Sequence, residues 1–438
     1  MGLPSCLLRE QKANSDFATS ITVVFLRQPD EIDDPLTAVL RSGARRLLAQ
    51  AIEAEAEAFL VAMKGERLAD GRERVVRHGH GPERQVQTGI GPVAVQRAKL
   101  RDRGAGGDGK RIRFTSAILP RWARRTRSLD ALLPILYLRG VSMGDFQEAL
   151  GALLGKDAPN LSPSVIARLR GEWEADYARW QRRDLSARRY VYVWADGVYL
   201  QARMEPQAEC MLVLIGATPE GKKELLGFQV GVRESTQSWR ELLVDLKARG
   251  LVIAPELATG DGALGFWKAL DAVSPTTRHQ RCTVHKTANI LDKMPKSVQP
   301  AAKSDLREVW AAPDRATAEV AVATFAEKYG AKYEKAVTCL VKDRDALLTF
   351  YDFPAEHWDH LRTSNPIESV FATVRHRTVR TKGALSQDTA RLMVFKLVMA
   401  AAKTWHKLKG ENQLPKVVQG VTFRDGVEVT DTPAQSAA

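Results

Sequence analysis

The chain has 438 residues, 44% apolar and 27% charged, with a net charge of +13; this is a globular composition with room for two to four domains. No apolar run approaches the ~20 residues needed to span a bilayer, and the N-terminus lacks the apolar region and cleavage site of a signal peptide. Four scattered cysteines (Cys6, Cys210, Cys282 and Cys339) exclude a disulfide framework and a Cys-x-x-Cys zinc pair, and fit a reducing cytoplasm.

Residues 1–30 fit nothing that follows and read as a disordered leader, with the true start expected downstream. From Asp34 to Met63 an Ala/Glu/Leu-rich stretch predicts a helix, with Asp33 or Asp34 as cap and Pro35 in the first turn. "RQVQTGIGPVAVQRAKL" alternates around Gly-Ile-Gly-Pro and predicts a small β-hairpin, completing a region over 34–117. Arg101 to Lys110 is a Gly-rich loop. Helical patterning over 118–186 reads as helix, turn, helix, with Ser162-Pro163 starting another helix. That spacing suits a helix-turn-helix DNA reader, with Ser164 to Arg170 opening the reading helix. It suits an ordinary helical bundle equally well.

The class then changes. Strands are expected at Tyr190 to Met204, Cys210 to Ala217 and Leu225 to Val232. A helix follows over Ser238 to Arg249, then a short strand ending near Asp261, a helix, and a strand end at "HQRCTVHK". This is an α/β pattern over 187–285. Residues 286–361 are helical without strand signals, 362–409 carry two more helices, and 410–438 read as a C-terminal tail.

Three carboxylates stand out, each with an innocent reading. Asp196-Gly197 is a strong hairpin-turn signal. Its flanking run, however, is apolar on both faces, as in a doubly covered central strand, where an unpaired carboxylate is costly. Asp261 in "TGDGA" is either a turn or helix-cap residue, or a ligand group at a strand's carboxyl end. Glu368 in "TSNPIES" fits the third position of a helix capped by Asn365, or a carboxylate on a helix beside the sheet. Their order (leading strand, later strand end, later helix) is the layout of a ribonuclease-H-like domain that gathers two Asp and one Glu around two divalent ions. Hard Mg²⁺ takes carboxylate oxygens, and two such ions serve the attacking and leaving oxygens of phosphodiester transfer.

Positive charge is concentrated. Arg97 to Arg127 holds 11 Lys/Arg against 2 acids, and Thr373 to Lys409 holds 9 against 1. Such clusters neutralise a phosphate backbone. Candidate DNA contacts are Arg121, Arg124, Arg125, Arg168 and Arg170, and, after Glu368, Arg375, Arg377, Arg380 and Lys382. A solvated basic helix face is the alternative for the last group.

The segments "VWADGVYL", "GDGALGFWKAL", "RCTVHKTANIL" and "RTSNPIESVFATVRHRTVRTKG", with "LYLRGVSMGDFQEAL…LSPSVIARLRGEWE" before them, resemble the Mutator-type transposases of bacterial insertion sequences. The resemblance runs from about Asp34 to Lys409. It implies an α/β ribonuclease-H-like catalytic core interrupted by an all-helical insertion and preceded by a mainly helical N-terminal DNA-binding region. It implies a catalytic and metal-binding triad of Asp196, Asp261 and Glu368, and two Mg²⁺ ions, with Mn²⁺ as a substitute. The family also carries a Cys-x-x-His signature, here Cys282 and His285. With His279 this offers three zinc ligand types but no fourth, so we read the pair as packing or touching a DNA strand beside the site.

The expected function is DNA strand cleavage and strand transfer at terminal inverted repeats, with target DNA as second substrate. Expected too are a homodimer or larger assembly, a cytoplasmic, nucleoid-associated location and no membrane partner. A ribonuclease-H-like nuclease or resolvase that cuts without joining is the alternative, as is a non-catalytic DNA-binding relic. Two departures from the family pattern remain: the leader has no counterpart, and "VIAPELATGDGA" is less hydrophobic than a buried strand requires.

Overall fold

The computed structural model describes residues 34–104, 111–138, 163–200, 209–231, 233–262, 264–380 and 386–429. The leader, most of the Gly-rich loop, Lys382 and the turn and second helix of the expected helix-turn-helix lie outside the described residues. The chain divides into two compact units, residues 1–129 with 147–159, and 130–146 with 160–438.

In the first unit, helix α1 (Pro35–Ala62) starts as its sequence dictates. The Asp34 carboxylate accepts from the Leu36 and Thr37 amides, and Pro35 occupies the first turn. Strands β2 (Arg84–Thr88) and β3 (Gly91–Val95) form the expected antiparallel hairpin. Two strands absent from the sequence reading, β1 (Val75–His80) and β4 (Ala98–Asp102), pair with each other. Polar "VVRHGH" hides its strand character, because only its first residue is buried. Asp102 holds this end together, accepting from Arg74 at 3.1 Å and from the Gly104 and Ile112 amides. Ile52 and Ala56 of α1 pack with Val86, Val93 and Val95.

Helix α2 (Arg127–Leu138) follows, and then α3 (Pro163–Gln181), which groups with the second unit. From Leu169 onward α3 is a packing helix. Leu169, Trp173 and Tyr177 are buried, and the Tyr177 ring lies edge-on to Phe228 and Phe395.

The second unit is built on a five-stranded sheet ordered β7-β6-β5-β8-β9. Strands β5 (Tyr192–Leu200), β6 (Glu209–Ala217) and β7 (Lys223–Gly231) are antiparallel. Strands β8 (Leu257–Gly260) and β9 (Arg278–Arg281) run parallel to β5. Helices α4 (Thr236–Ala248) and α5 (Leu264–Val273) cover one face through Trp239, Leu242, Phe266 and Leu270. The other face carries Tyr192, Trp194 and Val198 and packs into a second core with α3, α12 (Asn365–Arg380) and α13 (Gln387–Ala402). With both faces covered, β5 and β6 read as continuous apolar runs.

Between β9 and α12 the chain is helical: α6 (Thr283–Leu291), α7 (Gln299–Ala311), α8 (Arg315–Gly330), α9 (Glu334–Val341), α10 (Arg344–Leu347) and α11 (Trp358–Leu361). Polar groups fix this block to the sheet. Gln280, wholly buried, donates to Leu347 C=O at 2.9 Å and accepts from the Phe350 amide at 2.8 Å. Tyr192 OH meets His357 Nδ1 at 2.8 Å, and Trp194 Nε1 donates to His360 C=O at 2.9 Å.

The expected C-terminal tail is folded as far as Val429. Helix α14 (Leu414–Val418) and strands β10 (Phe423–Arg424) and β11 (Val427–Glu428) bury Leu414, Val417 and Phe423 in the core. Gly426 N donates to Tyr351 C=O at 3.0 Å. The apolar positions are too few and irregularly spaced to show periodicity, so their sequence reads as a tail. Truncation after Lys409 removes these side chains, each contributing about 1.5–3 kcal/mol of burial. The expected outcome is a loss of roughly 5 kcal/mol of stability, measured by urea unfolding.

Candidate active site

Asp196 lies inside β5, not at a chain reversal. The strand runs unbroken through Asp196 and Gly197, which pair with Val213 and Leu212 of β6. The turn reading therefore fails: continuous pairing with β6 outweighs the local Asp-Gly preference. On the other side of β5, Ala195 is paired with Gly260, the last residue of β8. Asp196 and Asp261 thus follow the last paired residues of two adjacent parallel strands. The low hydrophobicity before Asp261 is explained by the same packing. A Cβ on Gly260 would lie 3.3–3.4 Å from Ala195 C=O and the Phe266 and Trp267 rings. The buried Thr259 hydroxyl donates to Leu361 C=O at 2.8 Å.

Glu368 arrives from the far side of the helical block. Ser364, not Asn365, closes the start of α12, because its carbonyl accepts from the Ile367 and Glu368 amides. Glu368 therefore stands one position beyond the capping-box site, and its partner is a side chain: Ser364 Oγ donates to Glu368 Oε1 at 3.1 Å. Ser364 is fully buried, and its hydroxyl also lies 3.3 Å from both Cys282 Sγ and His285 Nδ1. Cys282 caps α6 and His285 follows one turn later, with Nε2 3.8 Å from Glu368 Oε1. The Cys-x-x-His pair therefore sits against Glu368. His279 is engaged elsewhere, with its ring tilted against Trp267 and its Nε2 3.0 Å from Asp271 Oδ1.

The electrostatics tie these groups together. Burial pushes the Asp196 carboxyl up to about 6; nearby His285 and the Gly197 amide oppose this, while Asp261 and Glu368 add to it. A fourth carboxylate, Glu234, was missed in the sequence. Burial, then Asp196 and Asp261, push it up to about 7. Glu234 sits just before α4, and a Cβ on Gly197 would lie 2.6 Å from its Oε1. The only sequence signal for it is that glycine, which leaves room for a side chain from another element. The Cys282 hydrogen bond, working against burial, raises His285 to about 9, with Asp261 and Asp196 adding to the rise. Burial resists ionisation of Cys282, but hydrogen bonds from His285 and Ser364 outweigh it and lower that thiol.

The basic candidates are dispersed. Arg121 and Arg124 are exposed in the first unit, and Arg125 is half-buried there. In the second unit, Arg168 pairs with Glu172 and Arg170 with Asp388, each at 3.6 Å. Arg375 is exposed on α12, two turns beyond Glu368. Arg377 and Arg380 lie on the same helix, and their side chains are outside the described residues.

A pH dependence follows. The folded chain holds the Asp196 proton up to about 6, whereas an unburied aspartate releases it near 3.8. Folded protein thus binds more protons in that window, and this contribution to stability falls as pH rises through it. In chelator, Asp196→Asn should gain stability over wild type between pH 4 and 7, by on the order of 1–3 kcal/mol. Urea unfolding of both proteins across that range measures it.

Comparison with known proteins bears on this site. A family model described as "Transposase, Mutator family" matches residues 18–408, beginning upstream of Asp34. The chain is 51% identical over 288 residues to the transposase for insertion sequence element IST2 of Acidithiobacillus ferrooxidans, covering 64% of this chain and 95% of that protein. It is 47% identical over 298 residues to the transposase for IS6120 of Mycolicibacterium smegmatis, covering 68% and 92%. Identity to the transposase for IS905 of Lactococcus lactis is 28% over 357 residues, covering 81% and 85%. Among the described residues no helix is long and apolar enough to cross a membrane. With nearly its whole length matched by one family, the chain belongs to the Mutator family of transposases.

Proposed function

We propose that this chain is the DNA transposase of an insertion sequence, and that Asp196, Asp261 and Glu368 form its catalytic centre on a ribonuclease-H-like core. One observation carries the reading: Asp196 and Asp261 directly follow the last paired residues of β5 and β8, and Asp261 and Glu368 both add to the charge cost at Asp196. The sheet order, three antiparallel strands followed by two parallel ones, supports the fold assignment. A basic chain of net charge +13 supports DNA as partner.

The donor set fits hard divalent cations. Asp261 and Glu368 add to the charge cost at Asp196, Asp196 and Asp261 add to it at Glu234, and His285 offsets part of it at both. Such an arrangement is costly until positive charge joins it, and oxygen-only donors suit Mg²⁺ or Mn²⁺. When bound there, two such ions activate an attacking oxygen and stabilise a leaving one.

The chain's own residues supply position. Strand pairing holds Asp196, whose Oδ1 accepts from Gly197 N at 2.8 Å. Asp261 accepts from Gly262 N, and its carbonyl from Trp267 Nε1 at 2.8 Å. The Ser364 hydroxyl holds Glu368. Arg375, exposed on α12 two turns beyond Glu368, and Arg377 and Arg380 farther along that helix are the cations we assign to the phosphate backbone. In the first step, water attacks a phosphorus at the element end, breaking the bond to the 3′ oxygen and freeing a 3′-hydroxyl. In the second, that hydroxyl attacks a target phosphorus, forming one phosphodiester while another opens. Bond number is conserved, so joining needs no external energy source. Two ends must be held at once, which implies a dimer or larger assembly on DNA, acting at the nucleoid.

The test uses DNA carrying the inverted repeats that flank the gene, with Mg²⁺, and compares wild type with Asp196→Asn and Glu368→Gln. Cleavage and joining should fall at least about a thousandfold (~4 kcal/mol) in each variant, while end binding persists. Cutting without joining by the wild type would assign a nuclease instead. Binding with no cleavage would leave only a DNA-binding protein.

A further inference from the structure

In the sequence, the Cys-x-x-His pair had His279 as a third zinc ligand and no fourth. The fold removes His279 and supplies Glu368 in its place. One ligand atom each from Cys282, His285 and Glu368 lie within 4.8 Å of one another. A tetrahedral ion with bonds of ~2.3 Å to sulfur and ~2.0–2.1 Å to nitrogen and oxygen separates its ligands by ~3.3–3.6 Å. The three side chains therefore need to close by roughly an ångström, and the His285–Glu368 pair, at 3.8 Å, is nearly there already. The wholly buried Ser364 hydroxyl lies 3.3 Å from Cys282 Sγ, 3.3 Å from His285 Nδ1 and 3.1 Å from Glu368 Oε1, and gathers the three side chains at one point. Three protein ligands with water as the fourth suffice for zinc outside purely structural sites.

We propose that Cys282, His285 and Glu368 form a binding site for a soft divalent cation of the zinc class, and that its occupation withdraws Glu368 from Asp196 and Asp261. Sulfur and imidazole select zinc over magnesium, whereas the aspartates favour magnesium. One carboxylate is thus shared by two sites of opposite preference, and zinc inhibits by capturing it. The inhibition rests on the catalytic reading of Glu368; the binding does not.

Cobalt(II) is the probe, titrated into the full-length, chelator-treated protein. The expected result is one equivalent bound, with thiolate-to-cobalt charge-transfer absorption and intense tetrahedral visible bands. Zn²⁺ should displace it. Cys282→Ser should abolish the charge-transfer band, and Glu368→Gln should lower affinity at least tenfold, roughly the scale of losing a supporting contact. Asp196→Asn should leave both signals in place. If Cys282→Ser does not fold, His285→Asn gives the same affinity readout. In parallel, Zn²⁺ should inhibit Mg²⁺-driven cleavage by the wild type. Absence of the band, or a band that survives Cys282→Ser and so belongs to another cysteine, overturns the site. A band without inhibition of an active enzyme overturns the competition. A band in a protein with no cleavage activity leaves the metal site standing and removes the catalytic reading. Normal Glu368-dependent cleavage with no band does the reverse.

Discussion

The pairing of Ala195 with Gly260 across two parallel strands is the constraint on which the centre depends. Backbone hydrogen bonding fixes the register, and a slip by one residue would turn every side chain of β5 to the other face. Asp196 would then leave the α12 side, and Trp194 and Tyr192 would leave the core they fill. Those two side chains also anchor the returning chain, through His360 and His357. Thr259 and Thr283 add bonds to Leu361 and Arg362. Glu368 begins only a few residues beyond these anchors. The strand that places the first acid therefore also steers the segment that delivers the third, although 172 residues separate them, from 196 to 368.

This placement is electrostatically unfavourable in the protein alone. Burial raises Asp196 and Glu234 well above ordinary carboxylates; Asp261 and Glu368 add to the rise at Asp196, and Asp196 and Asp261 to that at Glu234. Sheet pairing, aromatic packing and buried polar anchors hold the acids where charge repulsion would part them. His285 relieves part of the strain as a positive group beside Glu368, held there by Cys282. A centre that is costly when bare is suited to gaining a cation, and stability traded for a preorganised site is a common feature of functional centres.

The helical block and the C-terminal segment extend this scaffold. Gln280 satisfies two backbone groups of the block from inside the sheet. Lys286 meets Asp343, which also pairs with Arg281 at 3.1 Å, tying α6 to the turn before α10. Asp425 accepts from the Arg315 amide at 2.7 Å, so the terminal hairpin caps the block. Burying charged and polar groups in this way specifies one docking geometry, because a misplaced partner would leave them unsatisfied.

By itself, the sequence determined the helix and strand order from β5 to α13 and the doubly covered character of β5 and β6, and it singled out the three acids as candidates. Those rest on local periodicity and on carboxylates whose presence in apolar surroundings is conspicuous. The β2–β3 hairpin and the Asp34 cap were legible for the same reason: their signals lie within a few residues. Asp196 was not settled by its own neighbourhood, since Asp-Gly favours a turn and only the pairing with β6 shows otherwise. Glu234, the β1–β4 pair, the folded segment after Lys409 and the joining of Cys282, His285 and Glu368 were decided by tertiary structure alone. Each depends on contacts between residues far apart in the chain, and periodicity carries no information about which distant surfaces will meet.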